Sequence, residues 1–135
     1  MTKLSDLSGF DLIYLATPYT KYPEGITIAY VHACKLAARL LRAGLKLYSP
    51  IAHTHPIAVH GSIDPLDLSI WLPFDAAMIA KSDALVVGML PSWETSTGVR
   101  HEIDAFVETQ KPVFFLSPDD LSIAPDEGFK IGGAR

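Results

Sequence analysis

The sequence has only one cysteine, Cys34, and therefore cannot form an internal disulfide. It has no excess of positive charge, since 11 Lys and Arg stand against 15 Asp and Glu, which argues against nucleic acid or an anionic membrane surface as the main partner. No apolar run approaches the roughly 18 residues that span a bilayer, and the first residues lack the parts of a signal peptide. We therefore expect a cytoplasmic protein.

Apolar residues, by contrast, are plentiful enough for one core. Hydrophobic residues make up 49% of the 135 positions and charged residues 19%, a composition typical of a compact domain. A chain of this length buries roughly two-thirds of its unfolded surface. We predict a single domain over residues 1–135, with its core within about 11–116 and an irregular tail, rich in Pro, Asp and Gly, over 117–135.

Short apolar runs alternate with helical patterns along the chain. We predict strands at 11–17, 45–49, 83–90 and 112–116, and the third run is apolar almost throughout, as in a central strand covered on both faces. Helices are predicted at 26–42 and 97–110. Strands separated by helices favour an α/β fold, with a small doubly wound (Rossmann-like or flavodoxin-like) parallel sheet of four to five strands flanked by helices.

The segment between the second and third predicted strands is less regular. Residues 50–63 contain three histidines and two prolines, and we expect either a functional loop or a short helix without clear bounds. A helical segment then begins at 64–65, and Pro73 interrupts it. Pro73 suits the first position of a new helix that ends near Lys81, which would place Asp75 in the first turn of that helix.

Two carboxylates, Asp75 and Glu102, flank the central strand, at whose carboxyl end ligands bind in open α/β sheets. With Val99 at zero on a helical wheel, the apolar stripe spans roughly 340° to 80° and Glu102 falls near roughly 300°. Glu102 therefore borders the buried stripe, where an unpaired carboxylate is costly. The structural alternatives are an ion pair of Glu102 with Arg100 or His101, and stabilisation of a helix N-terminus by Asp75.

The loop between the central strand and the next helix carries further candidates. Ser96 and Thr97 precede Gly98 and suit N-caps of the helix. Alternatively, their hydroxyls and the helix N-terminus bind an anion such as a phosphate, or a sugar hydroxyl, and position alone does not separate the two interpretations. Trp93 in the same loop is a candidate for stacking on a base.

A set of spaced residues resembles the nucleoside 2-deoxyribosyltransferase superfamily, including its deoxynucleoside 5'-monophosphate N-glycosidase branch. These residues are Asp75, Asp83, Ser96, Gly98, Val99, Glu102 and Ile103, and the segment Tyr14-Leu-Ala is similar to that family's first strand. The similarity covers about residues 11–116. The block from Ser49 to Pro56 has no counterpart in these branches and resembles a bacterial and phage subfamily of this fold, one described as a domain of unknown function.

The resemblance implies cleavage or transfer at the N-glycosidic bond of a (deoxy)nucleoside or nucleotide, without a cofactor. Glu102 would attack the anomeric carbon and form a covalent glycosyl-enzyme, while Asp75 would assist departure of the base and then activate the acceptor. Tyr14 would orient the nucleophile, and Ser96 would hold a 5'-phosphate or 5'-hydroxyl. Water as the acceptor makes a hydrolase, and a second base makes a transferase.

Seven residues are the predicted substrate contacts: Thr17, Tyr19, His53, Trp93, Ser96, Thr97 and Gly98. The turn at 17–20 replaces the glycine-rich turn of the nucleotide branch, which departs from the family pattern for phosphate binding. The superfamily completes its pockets at subunit interfaces, and the resemblance therefore implies a homo-oligomer with pockets near the interface.

Two other functions stay open at this point. The first is a non-catalytic module that binds a nucleotide or nucleotide-sugar. The second is a metal-dependent hydrolase. In an extended segment His53 and His55 would point to one face, and together with His60 they are candidate zinc ligands.

Overall fold

A computed structural model describes residues 2–124 of the chain, and most of the tail predicted at 117–135 lies outside them. The strands are β1 (Ile13–Ala16), β2 (Leu47–Tyr48), β3 (Ala84–Gly88) and β4 (Val113–Leu116). The helices are α1 (Ile26–Arg42), α2 (Pro50–Gly61), α3 (Leu68–Lys81) and α4 (Thr97–Glu108), with short 3-10 turns at Leu4–Gly9 and Trp93–Thr95.

The four strands form one sheet in the order β2-β1-β3-β4, and every pairing is parallel. The α/β fold with a parallel sheet is therefore confirmed. From β1 the chain first adds β2 on one side and then β3 on the other, so the direction of winding reverses between β1 and β3. Ligands of open α/β sheets bind in the crevice at the carboxyl ends of strands beside such a reversal.

Helices cover the sheet on both faces. On one face, Leu36 and Leu40 of α1 belong to the same buried cluster as Leu15 and Val86 of the central strands. The other face buries Tyr14, Leu85 and Val87 with Val99 and Phe106 of α4. The strands β1 and β3 are buried along their whole length, which explains why they are apolar without alternation.

Residues 50–61 form helix α2, so the alternative of a short helix is confirmed and the alternative of an irregular loop is wrong. Ser49 caps the helix, because its hydroxyl accepts a hydrogen bond from the backbone N–H of Ala52 at 3.4 Å. Pro50 occupies the first turn, where its missing N–H costs no hydrogen bond. The pair Ser49-Pro50 therefore indicates the start of a helix in the sequence, although Pro56 inside the helix makes a helix harder to predict.

Helix α3 runs without a break from Leu68 to Lys81, so the predicted interruption at Pro73 is also wrong. Asp67 caps it by accepting from the N–H of Ser69 at 3.1 Å. Pro73 removes one backbone hydrogen bond from the second turn, and this part of the helix is exposed. Asp75 consequently lies in mid-helix, where stabilisation of a helix N-terminus does not explain it.

Apolar side chains on and beside α3 remain exposed, and Ile79 is the one residue of this helix that is buried. The exposed ones are Leu66, Leu68, Ile70, Leu72 and Phe74, with Leu68 at 59% and Ile70 at 43% of full exposure. A helix that is apolar on most sides is normally covered. Within residues 2–124, no helix has the length and apolarity that crossing a bilayer requires.

Candidate active site

A cleft of about 380 Å³ opens where β1 and β3 end and α4 begins. The polar or charged side chains that line it are Thr17, Tyr19, Thr20, Thr54, Asp75, Ser96, Thr97, His101 and Glu102. The apolar part of the lining consists of Pro50, Ile51, Pro65, Leu66, Leu68, Trp71 and Leu72, and Gly98 completes it. The cleft therefore combines both predicted carboxylates with apolar surface, as small-molecule sites often do.

Helix α4 directs Glu102 toward the sheet. Its first turn is held by Ser96, whose hydroxyl accepts from the N–H of Val99 at 3.2 Å, and Glu102 follows one turn later. The Glu102 side chain is buried, and Tyr14 donates a hydrogen bond from Oη to its Oε2 at 2.6 Å. Arg100 pairs with Asp104 at 3.5 Å instead. Glu102 therefore needs no ion pair with Arg100 or His101, because Tyr14 of β1 is its hydrogen-bond partner.

The setting of Glu102 perturbs its ionisation. Burial raises the pKa of Glu102 from 4.5 to about 8, the hydrogen bond from Tyr14 opposes this rise, and the charge of Asp75 adds to it. Burial, followed by the charges of Glu102 and Asp75, raises the pKa of Tyr14 far above its usual range. Tyr14 therefore stays protonated and acts only as a donor toward Glu102.

Asp75 projects from α3 into the same cleft. Burial raises its pKa from 3.8 to about 6, although the nearby His101 opposes the rise. Its Oδ1 is buried without a hydrogen-bond partner. With pKa values of about 6 for Asp75 and about 8 for Glu102, the pair shares one proton near neutral pH, and in the free protein Glu102 carries most of it. The roles that the family resemblance implies, with Glu102 as nucleophile and Asp75 as acid, therefore need the less populated placement of this proton.

Most of the predicted contacts lie in the cleft, but two do not. Thr17, Tyr19, Ser96, Thr97 and Gly98 all line it. The 3-10 turn at 93–95 directs Trp93 toward β4, where its ring contacts Phe115 at 5.5 Å and lines a separate hollow. The ring of His53 stacks on Phe74 at 5.5 Å, outside the cleft lining. Trp93 and His53, two of the seven predicted contacts, therefore lie outside the lining of this cleft.

The three histidines of α2 do not converge. They were expected in an extended segment, but on a helix His53 and His55 project about 200° apart, and His60 lies about two turns from His53. His55 is buried, bonds through Nδ1 to Oη of Tyr19 at 2.6 Å and stacks on Tyr30 at 4.5 Å. No group of three or more His, Cys, Asp or Glu within the described part of the chain is arranged to hold a metal ion.

Sequence reasoning missed Tyr48, Trp71 and His101. Tyr48 ends β2 beside Tyr14, and the two rings meet edge to face at 5.7 Å. Its position at a strand end on the ligand-binding edge was an available signal. The indole of Trp71 is oriented by a hydrogen bond from Nε1 to the carbonyl of Asp64 at 3.0 Å. No sequence pattern predicted the apolar part of the lining, because it depends on how α3 packs against the rest of the domain.

Fold and site together define an α/β domain with a paired-carboxylate cleft at the winding reversal of a parallel sheet. Residues 11–118 match the family described as a domain of unknown function, DUF1937, and the chain belongs to this family. The matched segment contains every residue of the cleft. A search of curated proteins found no match to the sequence.

Proposed function

We propose that this protein cleaves or transfers at the N-glycosidic bond of a nucleoside or nucleotide through a covalent glycosyl-Glu102 intermediate. The observation that carries the proposal is the buried Glu102 carboxyl, held by Tyr14 at 2.6 Å, in one cleft with Asp75. A nucleophilic carboxylate must be fixed in orientation, and a second carboxyl must exchange protons with the leaving group. The hydrogen bond from Tyr14 supports the first role for Glu102, and the presence of Asp75 in the same cleft supports the second role for Asp75.

The chemistry divides into two displacements at the anomeric carbon. In the first, a carboxylate oxygen of Glu102 bonds to this carbon, the carbon–nitrogen bond breaks with its electron pair on the base, and Asp75 gives the base a proton. In the second, water or another base attacks the same carbon and gives a proton to Asp75. Glu102 then leaves as a carboxylate, and the configuration at the anomeric carbon is retained.

The lining of the cleft offers groups for both halves of a nucleoside. Thr17 and Ser96 lie in the lining together with both carboxylates, and we assign the sugar to this part of the cleft. Trp71 offers a flat ring for the base, and its indole is fixed by the hydrogen bond to the carbonyl of Asp64. Trp71 lies one helical turn before Asp75 on α3, so a base on its ring would lie beside the carboxyl that protonates it.

The test is to incubate the purified protein with each common nucleoside and deoxynucleoside, and with their 5'-monophosphates, and to follow free base by chromatography. We expect base release by the wild type and its loss in Glu102→Ala. Glu108→Ala is the matched control, because Glu108 is exposed on the same helix. Absence of base from every substrate, or equal release by Glu102→Ala, contradicts the proposal.

A second candidate function is a non-catalytic module that binds a nucleotide or nucleotide-sugar. The observation that favours it is the pKa of Glu102, about 8, which keeps most of this carboxyl neutral at pH 7 in the empty cleft. A binding module would be stabilised thermally by its ligand without turning it over. Thermal shifts measured on the same substrate panel, with no release of base, distinguish this function from the first.

We further propose that two copies of the chain associate through α3 and that the protein acts in the cytoplasm. The support for association is the exposed apolar surface of Leu68, Ile70 and Phe74, next to the cleft wall, because a large exposed apolar patch marks an interaction site. Ile70→Glu places a charge on this surface without touching the cleft lining. Light scattering should give a dimer for the wild type and a monomer for the variant, and a monomeric wild type removes the idea.

A further inference from the structure

Three buried polar atoms in or near the cleft have no hydrogen-bond partner: Oγ1 of Thr17, Oη of Tyr48 and Oδ1 of Asp75. The two hydroxyls can donate a hydrogen bond, and the carboxylate oxygen accepts one. Buried polar side-chain atoms almost always have hydrogen-bond partners, because leaving them unpaired sacrifices their hydration without compensation. An unpaired donor and an unpaired acceptor in one region can satisfy each other by forming a hydrogen bond.

The ring of Tyr48 is fixed between the elements that carry the two carboxylates. It meets Tyr14, which holds Glu102, at 5.7 Å, and Phe74, the residue before Asp75, at 6.3 Å. The ring of His53 contacts it on α2 at 5.8 Å. After burial itself, the charges of Asp75 and then Glu102 raise the pKa of Tyr48, which agrees with a hydroxyl close to both acids.

We propose that Tyr48 is a positioning residue for Asp75, with its hydroxyl donating a hydrogen bond to Oδ1. The bond requires the Asp75 carboxyl to turn toward Tyr48, and this terminal torsion is soft in aspartate. With Oδ1 held, Oδ2 is the oxygen that carries the proton into the cleft. Tyr48 thereby orients the carboxyl of Asp75 through a hydrogen bond, as Tyr14 orients that of Glu102.

Four groups bear on the titration of Asp75: Glu102 and His101 on α4, Tyr14 on β1 and Tyr48 on β2. A hydrogen bond donated to a carboxylate favours its ionised form and lowers its pKa. Removal of the Tyr48 hydroxyl should therefore raise the pKa of Asp75. This consequence holds in the free protein and does not depend on any reaction.

The test compares wild type with Tyr48→Phe, which keeps the ring and its packing. Carbon-13 NMR follows the Asp75 carboxyl, assigned through Asp75→Asn, and the Cζ of Tyr48 in the wild type. We expect a higher pKa for Asp75 in Tyr48→Phe and a Tyr48 Cζ shift that follows the Asp75 titration. Tyr22→Phe, which removes a hydroxyl bonded to His32 at 2.7 Å outside the cleft lining, should change neither.

Turnover supplies a second readout, and this part rests on the proposed function. With a substrate from the panel, Tyr48→Phe should lower kcat about tenfold to a hundredfold and change KM much less, because it removes one hydrogen bond to a charged group. If no substrate is turned over by the wild type, the proposed function fails while the NMR comparison still decides the role of Tyr48.

The inference is overturned if the pKa of Asp75 is equal in both proteins and the chemical shift of Tyr48 Cζ does not change as Asp75 titrates. If Tyr48→Phe does not fold, Asp75→Asn tests the same pair of residues. In this variant the chemical shift of Tyr48 Cζ should no longer change over the pH range in which Asp75 titrates in the wild type.

Discussion

Replacing Glu102 by Gln keeps the size of the side chain and an oxygen that can accept the hydrogen bond of Tyr14, but it removes the ionisable group. In the wild type this group lies buried on α4, and burial raises its pKa from 4.5 to about 8. The charge on Glu102 is therefore tolerated poorly by the folded protein. We expect Glu102→Gln to stabilise the protein at neutral and alkaline pH.

The size of the effect follows from proton linkage. Between pH 4.5 and about 8 the folded protein keeps a proton that the unfolded chain releases, so the free energy of unfolding falls as the pH rises through this window. The stabilising contribution of protonated Glu102 is complete below pH 4.5 and lost above about 8. Over the whole interval the loss amounts to roughly 5 kcal/mol, of which roughly 3 kcal/mol is already lost at pH 7. Asp75 titrates in both proteins, and its pKa rise from 3.8 to about 6 is smaller than that of Glu102, so its own contribution largely cancels in the comparison.

Urea denaturation followed by circular dichroism at pH 5, 7 and 9 measures this difference. Wild type and Glu102→Gln should be nearly equal in stability at pH 5, and the variant should be more stable by several kcal/mol at pH 9. Glu108→Gln, with an exposed side chain on the same helix, is the control and should follow the wild type. A pH dependence that is the same in Glu102→Gln and wild type would refute the account of a buried, desolvated carboxyl.

Three further predictions concern the same framework. Tyr14→Phe leaves buried Glu102 without its donor at 2.6 Å, and we expect a loss of about 1 to 3 kcal/mol in urea denaturation near pH 8, with lower turnover. Base release should follow a bell-shaped pH profile with limbs near the pKa values of about 6 for Asp75 and about 8 for Glu102. The reason is that neither the doubly protonated nor the doubly ionised pair contains both a nucleophile and an acid. A flat profile across this range contradicts the prediction. Gly88→Ala would place a Cβ 2.6 Å from Cδ2 of Leu36, so thermal denaturation should show a loss of about 1 to 3 kcal/mol, and an unchanged melting temperature would count against tight packing of α1 on β3.

Local patterns were sufficient for most of the fold. Helix α1 has the predicted bounds because it is free of Pro and Gly between Gly25 and Gly44, where the backbone adopts positive φ. The parallel sheet followed from strands alternating with helices. The errors fell at prolines, since Pro56 and Pro73 both lie inside helices that tolerate the loss of one hydrogen bond. Sequence alone does not reveal whether the surrounding structure permits that loss.

The site was predictable where residues follow strand ends or begin a helix. Glu102 was found from its place beside the apolar stripe of α4, and the structure adds the reason that it is tolerated there, its bond to Tyr14. That Trp93 and His53 lie outside the cleft lining could not be predicted, because the direction of a loop and the conformation of residues 50–61 depend on tertiary packing. Tyr48 was missed although its position at the end of β2 was a signal, because aromatic residues are common in strands and the position alone does not indicate a function.

The central claim is that Glu102 becomes covalently attached to the sugar. The most direct measurement is an acid quench during turnover of a substrate found in the panel, followed by proteolysis and mass mapping of the peptides. The account predicts a glycosyl group on the peptide that contains Glu102 and its absence in Glu102→Gln. Release of base by the wild type with an adduct on another residue, or an adduct that persists in Glu102→Gln, would contradict it.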